Sequence, residues 1–272
     1  MFPDCFYEHH NSLHQKIHRH FDLAAGHFEV EAIHDLRVEI KRLRAFFDLI
    51  EFINPNFQAR QNYKKIRKLF KAAGPVRDVH VQQQVVRAWS KKLALDPSEY
   101  YNFLKQKEMT VRSEFADAAV KFNFVVFEKN AALMRTYLQF LPMDFVESKT
   151  HAQLDLLLQR LFDLRKSEDG SPQNFHEIRI GLKAARYTLE VLQICFQKED
   201  LSPLNNQLRL MHQALGKWHD EEVGLESLEA FLQDQNAAQF FSKESYQLYA
   251  QNLRDDKSRL LDDFESRWKE FT

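Results

Sequence analysis

Glycine and proline are scarce in this chain, six and seven of 272 residues. So few turn formers argue against many short strands joined by tight turns and point to long helices. Cysteine is nearly absent. Cys5 and Cys195 have no motif spacing, which predicts neither a disulfide framework nor a cysteine-based metal site, and predicts a reducing compartment. No apolar run approaches the ~20 residues needed to span a bilayer. The opening MFPDCFYEHH has no basic segment followed by an apolar one, so it does not read as a secretory signal. There is no GxxxxGKS/T or GxGxxG loop to cradle a phosphate. Net charge is lacking too, at −1, which argues against bulk attraction to polyanions. These absences predict a soluble cytoplasmic protein with no membrane partner, in one large or two smaller domains.

What is present is a repeat. Residues 33–50 read IHDLRVEIKRLRAFFDLI, and residues 175–192 read FHEIRIGLKAARYTLEVL. Each holds a His with an Arg at +3, a Lys at +7 and an Arg at +10: His34, Arg37, Lys41, Arg44 and His176, Arg179, Lys183, Arg186. A Gly at +40 and an Asp at +44 follow in both, Gly74 with Asp78 and Gly216 with Asp220. The offset is 142 residues throughout. The near-zero total charge also hides a polarity. Residues 34–87 carry twelve Lys or Arg against five Asp or Glu, and residues 220–272 carry six against thirteen.

Ile33, Leu36, Ile40, Leu43, Phe47 and Ile50 follow 3–4 spacing, as do Phe175, Ile178, Leu182, Ala185, Leu189 and Leu192. Each set reads as the core stripe of a bundle helix. Asn54-Pro55 ends the first such helix, and Ser202-Pro203 lies past the end of the second. Companion helices are predicted over about 57–73 and 204–215, stopping at Gly74 and Gly216 as left-handed C′ residues, with Asp78 and Asp220 capping new helices. Further helices are expected at about 5–25, 79–95, 98–120, 128–140, 148–167, 221–235 and 241–270, with a loop at 167–172. The run 122–127 is the least helical segment between them. The expected fold is all-α, two bundles related by a pseudo-twofold, with repeats at 1–145 and 146–272.

The four cations of each repeat form one stripe, since residues three or four apart share a helix face. The first companion helix adds Lys64, Arg67, Lys68 and Lys71, and Arg77 follows. Guanidinium forks and mobile ammonium groups in rows suit an extended, repetitive polyanion better than one small phosphate. Charged rows on helices are commonly solvated faces; repetition of this row at identical offsets argues for a role in binding.

Two other chemistries have candidates. His10, His14 and His18 lie at i, i+4 and i+8, a spacing that can hold Zn²⁺ or Cu²⁺. Hydrolysis of a phosphoanhydride would need carboxylates for Mg²⁺, for which Asp78 and Asp220 are the candidates, although capping or pairing with Arg fits their position better. Nucleic acid would answer to the same cations, but its bases need exposed stacking aromatics, and the Phe residues fall mainly on core faces.

These residues resemble the CHAD family, the conserved-histidine α-helical domain. Its pattern is a His-x-x-Arg helix with trailing cations followed by a Gly-x-x-Arg-Asp or Gly-x-x-His-Asp turn, present twice. Here the turns are Gly74-Pro75-Val76-Arg77-Asp78 and Gly216-Lys217-Trp218-His219-Asp220, and the match covers about residues 5–270. The resemblance implies two four-helix bundles about a pseudo-twofold axis with a basic surface or pore at their junction, binding of inorganic polyphosphate, and, as in some members, association with polyphosphate granules. The role expected from the residues is binding without catalysis and without a cofactor. The binding residues would be His34, Arg37, Lys41, Arg42, Arg44, Lys64, Lys68, Lys71 and Arg77 in the first repeat, and His176, Arg179, Lys183, Arg186 and Arg209 in the second. The chain departs from the pattern at Ala184, where a cation is expected beside Lys183, and at Asn206, Leu210 and Gln213, opposite Lys64, Lys68 and Lys71. Its length leaves no room for the triphosphate-tunnel domain often fused to this family, so it reads as a stand-alone member.

Overall fold

The computed structural model describes residues 3–166, 170–233 and 243–271, and these are helical almost throughout. Nine α-helices follow in order among them: α1 (Pro3–His27), α2 (Val30–Ile53), α3 (Ala59–Leu93), α4 (Ser98–Val120), α5 (Val125–Leu138), α6 (Met143–Lys166), α7 (Pro172–Phe196), α8 (Ser202–Gln233) and α9 (Lys243–Phe271). No helix among the described residues is long and apolar enough to cross a membrane. The expected loop at 167–172 falls partly outside the described residues. Shifted by 142, α2 would span 172–195 and α3 would start at 201, each within one residue of the bounds of α7 and of the start of α8. The duplication read from side chains is therefore present in helix bounds as well.

Local chemistry sets these ends. Asn54 closes α2, its N–H bonding to Ile50 O and its side chain accepting from Asn56 N, with Pro55 barring continuation. Ser171 opens α7 by accepting from Asn174 N, with Pro172 in the first turn. Asn123 Oδ1 accepts from Val125 N at the start of α5, so the run 122–127 is a turn followed by a helix.

Two expectations about glycine are corrected. The expected helices 57–73 and 79–95 are joined in one helix, α3, and the expected helices 204–215 and 221–235 in one helix, α8, as far as Gln233, the last positions of that expectation lying outside the described residues. No glycine among the described residues has positive φ, so neither Gly74 nor Gly216 is a left-handed stop. Pro75 sits inside α3; it removes one backbone donor, which flanking packing tolerates here. Asp78 and Asp220 consequently lie within helices and not at helix starts.

The expectation about cysteine is also corrected. Cys5 and Cys195 form a disulfide, with Cα atoms 5.5 Å apart across 190 residues of sequence. Motif spacing reports local pairs only; this pair is made by tertiary packing of α1 on α7.

By contact density the chain divides into two units. The first holds Met1–Ala73 and Phe115–Arg209, and the second Gly74–Glu114 and Leu210–Thr272. Each unit therefore draws on both repeats. In the first, α1 packs along α2 and α6 along α7, while α2 packs on α7. Both predicted apolar stripes are buried there, from Ile33 to Ile50 and from Phe175 to Leu192. Each fully buried Leu, Ile or Phe contributes about 1.5–3 kcal/mol of transfer free energy, so these two faces hold the unit together. The second unit is a four-helix bundle of the later parts of α3 and α8 with α4 and α9, packed around Tyr100, Phe231 and Tyr249.

Candidate polyanion-binding site

The stripe on α2 lies against the first turns of α3. Arg37 Nη1 donates to Phe70 O at 2.9 Å, and its guanidinium stands 4.4 Å from the Phe70 ring centroid. Lys41 Nζ is 5.9 Å from the same ring, and Arg44 lies 5.2 Å over Tyr63. Rings at 63 and 70, two turns apart on α3, thus support cations spaced at 37, 41 and 44 on α2. The contacts leave these groups half-buried and oriented. Lys64, Arg67, Lys68 and Lys71 project from α3 as exposed side chains. Arg67 belongs with them although it was not among the expected ligands; its charge acts on Tyr63 beside those of Arg44 and Arg37. Its i+3 spacing from Lys64 is the sequence signal for it.

Each stripe ends in an acid. Arg44 Nε donates to both oxygens of Asp48 at 2.9 Å, and Arg186 approaches Glu190 at 3.9 Å. These pairs correspond across the 142-residue offset. Burial opposes the Arg44 charge, and the Asp48 hydrogen bond and charge outweigh it, so its pKa is raised. Asp48 in turn is raised by burial, with Arg44 opposing.

Arg42 is different from its neighbours. Its Nη1 donates to Glu39 at 2.5 Å, and its Nε donates to Glu190 Oε2 at 3.1 Å. It also lies 5.7 Å over Tyr187. It therefore spans from α2 to α7 and has two carboxylate partners. Its counterpart in the other repeat, Ala184, leaves this strut single. Arg186 sits in the same cluster: burial lowers its pKa, and the charges of Arg42 and Arg209 act in the same direction. Arg209 Nη2 donates to Asn206 at 2.7 Å. Three guanidinium groups from α2, α7 and α8 thus share one field within the first unit.

On α7, burial lowers the pKa of His176, with Arg179 and Lys183 adding to the effect and Glu177 opposing it. Its protonation as an anion donor therefore sets in below the ordinary imidazole range. Arg77 lies in the second unit, where its charge acts on buried His80, and its Nη1 is buried without a hydrogen-bond partner among the described residues. The structure places the remaining expected ligands, from His34 to Lys71 and from His176 to Arg209, in the first unit.

Among the described residues no group of three or more His, Cys, Asp or Glu side chains is placed to hold a metal ion. His10 is buried between Phe47 and Phe127, at ring distances of 6.0 and 6.1 Å, and His14 stacks on Phe127 at 4.4 Å. Only His18 of the three is exposed, and it pairs with Asp22 at 3.1 Å. The helical spacing of His10, His14 and His18 is real, but it lays all three against an aromatic layer, His18 against Phe124 at 4.3 Å. Asp78 and Asp220 both lie in the second unit.

The CHAD domain family model matches residues 11–229 and 152–267. The chain belongs to the CHAD family. No curated protein matches it by sequence. The crystal structure of the CHAD domain from the plant Ricinus communis is similar in fold, with a TM-score of 0.72 at 18% identity, covering 98% of this chain and 91% of that one. PptA from Streptomyces chartreusis has a TM-score of 0.72 at 16% identity, covering 98% of this chain and 99% of that one. The overlapping CHAD matches accord with a domain whose two halves carry the same pattern.

Proposed function

We propose that this CHAD protein binds inorganic polyphosphate, or a similar extended phosphate polyanion, through the cations of α2, α3 and α7, and that it does so without catalysis. The observation that carries the reading is that the helices bearing the two repeated stripes, α2 and α7, pack on each other in one unit, with the exposed row Lys64, Lys68 and Lys71 beside the first stripe. A linear array of phosphates matches a linear array of donors, each contact being charge-assisted. The family resemblance supports the choice of polyphosphate among polyanions. Cytoplasmic association with polyphosphate granules belongs to the same proposal. No catalytic role is assigned to Asp78 or Asp220, whose unit does not contain the stripes.

The test is titration with long-chain polyphosphate in EDTA at several salt concentrations, beside single-stranded RNA of matched charge. Salt-sensitive binding that prefers polyphosphate supports the reading. Equal binding of RNA, or binding only after Zn²⁺ is restored, overturns it.

A further inference from the structure

The disulfide lies where the two basic helices are held together. Cys5 stands in the first turn of α1 and Cys195 in the last turn of α7. The next residue, Phe6, is fully buried, with ring centroids 5.4 Å from Phe46 of α2 and 6.3 Å from Phe196 of α7. One turn on, His9 meets Phe46 edge-on at 4.8 Å. The start of α1 is therefore wedged against both α2 and α7, and the S–S bond makes one side of that wedge covalent. The Arg42–Glu190 hydrogen bond ties the same two helices through polar atoms.

We propose that Cys5 and Cys195 form a redox-operated clamp on the α2–α7 packing, so that thiol state sets how firmly the two cationic stripes act as one surface. The inference rests on the polyanion-binding reading and names its regulation. The chemistry is exchange with a dithiol. A thiolate of the dithiol attacks Cys5 Sγ, the S–S bond breaks, and Cys195 leaves as a thiolate that takes a proton. The second thiol of the dithiol, deprotonated, then displaces Cys5, leaving two protein thiols and an oxidised dithiol, with two electrons transferred to the protein. Cys195 is only 7% exposed, whereas Cys5 is partly accessible in a helix's first turn, so attack falls on Cys5.

A ligand long enough to touch both stripes gains from their being held in fixed relation, because the second contact becomes intramolecular. A ligand that touches one stripe gains nothing. The experiment compares air-oxidised protein, dithiothreitol-reduced protein and the Cys5→Ser variant. Thiol titration of denatured samples should give no free thiols before reduction and two after it. Reduction should lower Tm by roughly 10 °C. Affinity for long-chain polyphosphate should fall at least about tenfold, while affinity for tripolyphosphate stays within about twofold. Two free thiols in the oxidised sample, or equal long-chain affinity in both states, overturns the clamp. Should polyphosphate bind in neither state, the proposed function falls, and amide exchange decides the clamp separately. Faster exchange in α2 and α7 after reduction supports it; unchanged exchange overturns it. Reduced wild-type protein serves as the comparison if Cys5→Ser does not fold.

Discussion

Arg42 on α2 donates from Nε to Glu190 Oε2 on α7 at 3.1 Å, joining residues 148 positions apart. The pair is three-quarters buried, with side-chain exposures of 29% and 20%. Glu190 is shared with Arg186, and Arg42 with Glu39. Arg42 thus works as a strut between the stripes, and its positive charge is largely offset before any ligand arrives.

Removing the strut should cost stability more than charge alone implies. Arg42→Ala leaves Glu39, itself buried, without its guanidinium partner, and leaves Glu190 to the looser contact with Arg186 at 3.9 Å. The expected loss is about 1–3 kcal/mol, below the range for a fully buried pair because water still reaches this one. Calorimetry should show a Tm lower by several degrees. A shift below one degree would mean that the pair is solvent-screened and idle.

Lysines of α3 offer the cleanest separation of binding from folding. Lys64, Lys68 and Lys71 are exposed, so the triple change to Ala should leave Tm almost unchanged. It should reduce polyphosphate affinity and flatten the plot of log K against log salt by roughly two units, at about 0.7 per lost phosphate contact. An unaltered slope would remove α3 from the site. Charge reversal at Arg37, Lys41 and Arg44 should abolish binding with helicity retained. Arg37 is the least clean of these, since it also supports Phe70.

Acidification should act oppositely at two buried sites. His9 and His10 have pKa values lowered to about 4, chiefly by burial. The unfolded chain takes up protons at these sites near pH 6.5 and the folded chain does not, so stability falls as pH drops from 6.5 toward 4. For His10 alone the loss by pH 5 is about 2 kcal/mol, at 1.36 kcal/mol per pH unit. Glu221 is raised to about 7, by burial first and then by the charge of Asp220. Its folded state binds the proton more tightly than the unfolded state, so lowering pH from 7 toward the ordinary carboxylate range relieves a cost. Amide exchange at pH 5 against pH 7 should show faster opening in α1 and α2, and slower opening around α8 near Glu221. Uniform change across the chain would refute the assignment.

Gly181 tests the close approach of α6 and α7. A Cβ there would sit 2.7 Å from Leu161 Cδ2, and Leu161 is fully buried. Ala is better than Gly in a helix by about 1 kcal/mol, but overpacking a closed core costs about 1–3 kcal/mol. The clash should win, and Gly181→Ala should melt a few degrees lower. A higher Tm would show that Leu161 has room to move.

Much of this was legible from residue spacing. The 3–4 rhythm of Ile33 to Ile50 and of Phe175 to Leu192 marked two core faces, because helix geometry turns spacing directly into direction. The cationic rows were legible for the same reason. What stayed hidden depends on partners distant in sequence. Nothing near Arg42 announces Glu190, and nothing near Cys5 announces Cys195. Gly74 and Gly216 misled because a glycine can end a helix or merely pass through it, and tertiary packing decides which. His10 and His14 had ligand spacing, but spacing does not say whether Phe47 and Phe127 lie opposite.

The shared offset of 142 residues has a consequence for how the two halves were able to diverge. Each residue in an α-helix turns the chain by about 100°. One inserted residue within α2 would swing Arg44 off its row and Phe47 out of the core together. Both connections that follow, 54–58 after α2 and 197–201 after α7, are five residues long. Side chains have been replaced freely between the copies, Arg42 by Ala184 and Glu39 by Gly181, yet the count of residues has not moved. In a duplicated helical pair, length is the inherited character, and chemistry is the part that drifts.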